Sequence, residues 1–334
     1  MMVSNPGQGA VHPRLSVAVL CYKHVDFIGD CLQSILSQEL NVPFEVIVGD
    51  DSSLDGSIEV IESFRTRYPG IIKLVSHECN VGASRNFADV IARTSGEYIA
   101  YIDGDDMMLP GKLARQLDFL ETHPEFGMVV HKMRTIDALT KEPVSFPLPR
   151  GKPAVFDAEY LIRSGPFFFG SSAMFRGALR RRFPVNLNLK AVGDVAHLLQ
   201  TLYGTRARYF DEEMGLYRVN PNGITSIVIK NPARHEASIS DMMYTYRMAE
   251  ELGMEKAIVD RGRAGLYLGS AIMFLEAGHY TEFQRCIETS ARFARIGLKQ
   301  AGLHAMRHWP RTLRQSYRLV KQMVGQQPWR AQGS

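Results

Sequence analysis

The sequence predicts an α/β fold, a mainly parallel sheet flanked by helices and followed by a C-terminal α-helical region. Three observations carry that expectation. Short apolar runs alternate with segments of helical spacing from Leu15 to Leu120. Two of those runs stop abruptly in clustered carboxylates, at Asp50-Asp51 and at Asp103-Gly104-Asp105-Asp106. After Pro232 the composition turns to long helical stretches joined at glycines. Strands that alternate with helices build parallel sheets, and such sheets take ligands beyond the carboxyl ends of their strands.

Taken in order, Leu15–Cys21 is a short apolar strand, and Phe27–Ser37 carries Ile28, Cys31, Leu32, Ile35 and Leu36 at helical spacing. Phe44–Val48 is a second strand, ended by the first acidic cluster, and Ser57–Tyr68 is helical. Ile71–Val75 is a third strand and Ala83–Arg93 a third helix. Tyr98–Ile102 is the fourth strand, after which Pro110 marks a helix start that Leu113, Leu117 and Leu120 continue. A further strand is expected at Met128–Met133, followed by a loop-forming stretch through Pro143, Pro147, Pro149 and Pro153. Helices are expected over 233–252, 255–277 and 280–301, with a last one past Pro310, and Ala277-Gly278-His279 reads as a turn between two of them. The domain reading is therefore an N-terminal segment at 1–14, an α/β domain at 15–230 and a helical region at 231–334.

Composition bounds the class. At 334 residues, 45% hydrophobic and 22% charged, the chain can bury a large core. Four scattered cysteines make no disulfide framework and no zinc motif, which fits a reducing cytosol. No apolar run approaches the ~20 residues of a membrane helix, and residues 1–14 do not resemble a signal peptide. The expected location is cytoplasmic, at most peripheral on the inner face of a membrane. The net charge of +4 hides an asymmetry: from Thr289 onward there are nine basic residues and no acidic one, leaving 30 basic against 35 acidic before it, a net of −5.

The acidic strand ends are the chemical signal. Like charges a few ångströms apart repel and are desolvated at cost, so clusters of this kind imply cations or ligand donors between them. Asp103 and Asp105 offer hard oxygen donors suited to Mg2+ or Mn2+, whose shell is ordinarily completed by substrate phosphates, and Gly104 lets the backbone turn tightly between them. A bare Asp-rich turn capping the next helix is the plain alternative. Asp50 and Asp51 can cap the Ser57 helix, yet two adjacent carboxylates exceed one cap, leaving one to accept from a base or ribose. Leu20 and Tyr22 place exposed backbone and an aromatic face at the same edge. Asn80-Val-Gly-Ala-Ser-Arg-Asn86 opens a helix whose N-terminus favours anions, with Arg85 able to fork onto phosphate or to pair with Asp51 or Asp105.

As an ordered set, Ser16–Tyr22, Val48-Gly-Asp-Asp-Ser-Ser-Leu-Asp-Gly56, Asn80–Asn86, Tyr101-Ile-Asp-Gly-Asp-Asp106, Ser172–Arg176, Gly193-Asp194 and Tyr217-Arg-Val219 resemble the family-two inverting glycosyltransferases of GT-A fold. The resemblance covers residues 14–226. It implies that Asp103 and Asp105 bind the metal bridging a nucleotide sugar's phosphates, with Asp105 the more direct ligand. It implies that Asp51, beside Asp50, contacts the nucleobase, and that Leu20 and Tyr22 hold base and ribose. It makes Asp194 the general base that takes the acceptor hydroxyl's proton. The acceptor class it implies is a saccharide or a lipid-linked saccharide. Asn220 stands where the family sometimes has a metal-binding His, and Leu20, Cys21 and Lys23 depart from its first-strand pattern.

Two other readings are weaker. A sugar nucleotidyltransferase would need a Gly-rich basic loop where Leu15–Lys23 stands, and a degenerate scaffold would not need Asp103, Asp105 and Asp194. In the last helix Leu313, Tyr317, Val320 and Val324 line one face with Arg311, Arg314, Arg318 and Lys321 on its flank. That face either packs on the body or meets an anionic membrane. The tail's aromatics are too widely spaced for nucleic acid.

Overall fold

The computed structural model describes residues 12–145, 152–189, 193–220, 223 and 231–323, side chains of 320–323 excepted. The expectations that fall on 1–11, Pro147, Pro149, Val320, Lys321 and Val324 lie outside this description. The N-terminal half runs β1 (Leu15–Cys21), α1 (Ile28–Leu36), β2 (Phe44–Asp50), α2 (Ser57–Arg67), β3 (Ile72–Ser76), α3 (Ala83–Arg93) and β4 (Tyr98–Asp103). A short β5 (Met107–Met108), α4 (Lys112–Thr122) and the long β6 (Phe126–Asp137) follow. Next come β7 (Val155–Asp157), α5 (Ala158–Ser164), a 3-10 turn at Gly170–Ser172, β8 (Met174–Arg176), α6 (Gly177–Arg181), α7 (Asp194–Leu202) and β9 (Arg206–Val219). The chain closes with α8 (Pro232–Glu251), α9 (Lys256–Ala277), α10 (Tyr280–Phe293), α11 (Leu298–Ala305) and α12 (Pro310–Met323).

The sheet order is β3-β2-β1-β4-β8-β6-β9-β5, with β7 on β9. The β3, β2, β1 and β4 pairings are parallel, and the sheet turns mixed where β8 joins β4 and β6 antiparallel. Strict alternation sorts β1: Leu15, Val17, Val19 and Cys21 pack with Leu32 and Ile35 of α1, Ile61 of α2 and Leu117 of α4, whereas Ala18 faces α3, α5 and α7 on the opposite side. Both faces are thus covered, as a parallel sheet requires. Register fixes the site: Cys21 pairs with Asp50 on one flank of β1, and Leu20 pairs with Asp103 on the other. With strands roughly 4.8 Å apart, the two acidic ends stand about 10 Å from each other across β1.

Several boundaries differ from the sequence reading. β2 reaches Asp50 and β4 reaches Asp103, so the first carboxylate of each cluster is a strand residue held in the ladder. α4 begins at Lys112, because Gly111 takes a left-handed conformation (φ 81) between Pro110 and the helix. The expected 280–301 helix is two, broken between Phe293 and Leu298 where Gly297 has φ 143. Gly278, at φ 93, ends α9 as the Ala277-Gly278-His279 turn predicts.

The C-terminal helices pack directly on the sheet domain. Met242 and Tyr246 of α8 and Val259 of α9 belong to the same core as α5 and α7, and a Cβ at Gly262 would lie 2.1 Å from the Ile162 carbonyl oxygen. A second core joins Phe274, Phe283, Ile287, Leu303 and Leu313. Leu313 of the tail helix is therefore buried, and Arg314 donates to the Glu276 carbonyl at the end of α9 (2.8 Å). Among the described residues no helix is long and apolar enough to cross a membrane.

Candidate active site

At the end of β4 a small polar assembly holds the carboxylates. The Tyr101 hydroxyl donates to Asp103 Oδ1, and the Asp103 N–H donates to Ser171 Oγ at 3.0 Å, which also lies 3.4 Å from Asp103 Oδ2. Ser171 sits in the 3-10 turn, and α4 grips that turn from one turn of helix: Lys112 Nζ donates to Ser171 O (2.7 Å) and Gln116 Nε2 to Ser172 O (2.8 Å). Lys112 is buried, which pulls its ammonium down to about 7 against the opposing pull of Asp106. Gly104 donates its N–H to Leu20 O at 2.7 Å, and a Cβ there would stand 2.9 Å from that oxygen and 3.0 Å from His24 Nδ1. Glycine is needed for this close approach of two strand ends, not for an unusual φ.

Arg218 closes the far side. Its N–H donates to Asp106 Oδ1 (3.0 Å), Nη1 to Asp105 O (2.8 Å) and Nη2 to Asp30 Oδ2 (2.8 Å), with the guanidinium over the Phe27 ring. His24 Nε2 lies 3.8 Å from Asp105 Oδ2, and Asp106 Oδ2 is buried with no hydrogen-bond partner. Burial, and then the charge of Asp105, push the Asp103 carboxyl up to about 7. The same causes push Asp106 well above the usual carboxylate range. The cluster is therefore short of positive charge. Among the described residues no three His, Cys, Asp or Glu side chains converge to cage a metal. The donor set fits a hard cation held by one or two carboxylates and completed by ligand phosphates.

The end of β2 is wired differently. Asp50 is fully buried, and its Oδ2 accepts from Ser53 N at 2.9 Å. Asp51 takes two backbone amides at the start of α3, Val81 N at 2.6 Å and Gly82 N at 2.9 Å. The anion expected at that helix N-terminus is thus the protein's own Asp51 carboxylate. The Arg85 expectation is corrected with it: Arg85 pairs with Asp89 one turn along its own helix (2.8 Å), and with neither Asp51 nor Asp105. A Cβ at Gly49 would fall 2.2 Å from Asn86 Oδ1, and Asn86 Nδ2 donates to Gly49 O (2.9 Å), so α3 sits hard against β2. Beside this edge Leu20, near the end of β1, is half-buried, and Tyr22, 41% exposed, opens a loop tied to the β2 loop by Lys23 N–H to Ser53 Oγ (2.9 Å). Neither Asp50 nor Asp51 caps α2: its N-cap is Gly56, and Asp55 just before it accepts from Ser57 N at 3.1 Å.

Asp194 is the first residue of α7, and its Oδ1 accepts from Val195 N at 2.9 Å. The side chain meets solvent, yet the protein mass around it raises its carboxyl above the ordinary value. Its charge is close enough to raise both Asp103 and Tyr101. One turn on, His197 stacks on Phe87 (4.7 Å between centroids), which meets Tyr101 edge-on, linking α7 to β4. The structure thus brings Leu20, Asp103, Gly104, Asp105 and Asp194 around one end of the sheet and places Asp50 and Asp51 beneath its neighbouring flank. Lys112, Ser171 and Arg218 escaped the sequence reading. Arg218 lies in a segment singled out there and Ser171 just before one, but their partners are 113 and 68 residues away.

Residues 16–183 match the family model of Glycosyl transferase family 2. An uncharacterized protein of Mycobacterium tuberculosis is 33% identical over 123 residues, 36% of this chain and 36% of that protein. The putative glycosyltransferase EpsE of Bacillus subtilis is 29% identical over 50% of this chain and 58% of its own length. This chain thus spans little more than a third to just over half of these curated relatives. Among solved structures, residues 1–349 of S. aureus TarS in complex with UDP-GlcNAc superpose with a TM-score of 0.65 at 18% identity, covering 95% of this chain and 93% of that one. The mannosyltransferase PcManGT of Pyrobaculum calidifontis, in complex with GDP-Man and Mn2+, gives 0.59 at 19% identity over 95% of this chain and 85% of its own. Sheet order, acidic strand ends and family match agree: the chain is a member of glycosyl transferase family 2, with the GT-A fold.

Proposed function

We propose that the protein transfers a sugar from a nucleoside-diphosphate donor to a saccharide or lipid-linked saccharide acceptor, with inversion and with a divalent cation, Mg2+ or Mn2+. The observation that carries this is the cluster Asp103, Asp105 and Asp106 at the end of β4, where Asp106 Oδ2 is buried with no partner and the Arg218 guanidinium is spent on the Asp105 carbonyl and on Asp30. Asp103 and Asp105 would hold the cation, which when bound supplies positive charge to the departing diphosphate. Ser171, Lys112 and Gln116 fix the Asp103 side of the site, and Arg218 fixes the backbone of Asp105 and Asp106. Leu20 and Tyr22 wall the nucleoside end, and Asp50 and Asp51 frame it from beneath.

Asp194 acts as the base. A carboxylate at a solvent-open helix start, with a raised proton affinity, is matched to removing the acceptor hydroxyl's proton as that oxygen attacks the anomeric carbon. In-line attack opposite the leaving group inverts that centre. The solved complexes of TarS with UDP-GlcNAc and of PcManGT with GDP-Man and Mn2+ support the donor and cation classes by fold. The test is donor turnover with UDP- and GDP-sugars, with and without Mn2+, with the product's anomeric configuration read by NMR. Metal-stimulated turnover with inversion is expected, and retention would refute the proposed role of Asp194.

A further inference from the structure

We propose that α11 and the turn after it form a docking face for an anionic lipid surface. The structure moves this property off the tail helix, where Leu313 is buried and Arg314 is spent on the end of α9. On α11, Leu298, Ala301, Gly302 and Ala305 lie at i, i+3, i+4 and i+7, the turn after it adds Met306 and Trp309, and all six are exposed. Leu298 is 92% and Trp309 63% exposed, while Gln300 and Leu303 on the opposite face are buried against the body. The helix is docked by one side and shows an apolar ridge on the other.

Charge selects the occupant. Arg295 and Lys299 beside the start of α11 and Arg311 two residues after Trp309 are exposed, and among the described residues none of them is within ion-pair distance of a carboxylate. No acidic residue follows Glu288 in the sequence. A second copy would bring the same sign of charge face to face, whereas an anionic bilayer accepts the cations and buries the ridge together. Trp309, amphipathic and at the end of the ridge, suits the headgroup boundary.

The proposal does not rest on the transfer reading, since binding is measured without turnover. The full chain is sedimented with vesicles of phosphatidylglycerol and phosphatidylcholine, and with phosphatidylcholine alone. The chain has two tryptophans, so Trp329→Phe leaves Trp309 as the single reporter. Salt-sensitive co-sedimentation with the anionic vesicles only is expected, with a blue shift of Trp309 emission. Combined Leu298→Gln and Trp309→Gln, both at exposed positions, should weaken binding at least tenfold. Absence of binding, or undiminished binding by the double variant, would overturn the proposal. So would a dimer in sedimentation velocity that the double variant abolishes, which would assign the face to a second copy.

Discussion

The two acidic strand ends look alike in sequence and differ in how their charge is met. At β2, Asp50 and Asp51 are buried and accept three backbone N–H groups between them, from Ser53, Val81 and Gly82. At β4, Asp103 and Asp106 are lifted above the ordinary carboxylate range, and Asp106 Oδ2 is buried without a partner. The first end is met largely by the fold, with Asp51 anchoring α3 on the sheet, although Asp50 Oδ1 is buried without a partner just as Asp106 Oδ2 is. At the second, Asp103 and Asp106 crowd against the like charge of Asp105, and we propose that this end takes a cation. Clustered carboxylates therefore do not identify a ligand site by themselves; the difference lies in how many backbone donors reach them among the described residues, three at β2 against the Arg218 N–H at β4.

Substitutions should separate the two ends. Asp105→Ala is expected to lower kcat/KM by about 1,000-fold or more with an unchanged melting temperature, because it removes charge on which transition-state stabilisation depends. Asp194→Asn should reduce kcat by roughly 100- to 10,000-fold and leave donor affinity, measured by calorimetry, near that of the parent. Asp51→Ala should do the reverse of Asp105→Ala: the orphaned Val81 and Gly82 amides cost on the order of 3 kcal/mol in denaturant unfolding, with a far smaller effect on kcat. A loss of activity at Asp51 without loss of stability would break the contrast.

Acid sensitivity provides a background against which both ends are read. His131 and His197 are buried neutral, with proton affinities lowered by burial to about 3 from an ordinary 6.5. The unfolded chain binds these protons first on acidification, so stability from this source is full above pH 6.5 and is lost as pH falls toward 3. Each should contribute on the order of 1 kcal/mol per pH unit in that window. Because the raised carboxyls of Asp103 and Asp106 act with the opposite sign in the same range, the check is made ring by ring: 15N NMR should show the His131 and His197 imidazoles neutral at pH 5, and a charged ring there would contradict the buried neutral state.

Much of the fold was legible because βα alternation writes its period into the chain, and the first four strands and three helices fall where apolar spacing puts them. What was hidden has a physical reason. β9 reads Arg-Ala-Arg-Tyr-Phe-Asp-Glu-Glu over its first eight residues, charged enough to pass for a loop, and becomes a strand by pairing along β6. The 280–301 helix looked continuous because apolar periodicity carries through Ile296 and Leu298, while the break depends on Gly297. In the site, the carboxylates were visible because they are adjacent in sequence. Lys112, Ser171 and Arg218 were not, because their roles arise only when distant segments meet, and a lone buried lysine has no sequence signature.

We propose that the β4 end, and not the β2 end, takes the metal and phosphates. The most direct test is calorimetric titration of UDP and GDP into the intact protein with and without Mn2+, repeated with Asp105→Ala and Asp51→Ala. Mn2+ should tighten nucleoside-diphosphate binding at least tenfold, and Asp105→Ala should abolish this gain while Asp51→Ala retains it. A Mn2+ gain that survives Asp105→Ala and disappears with Asp51→Ala would contradict it.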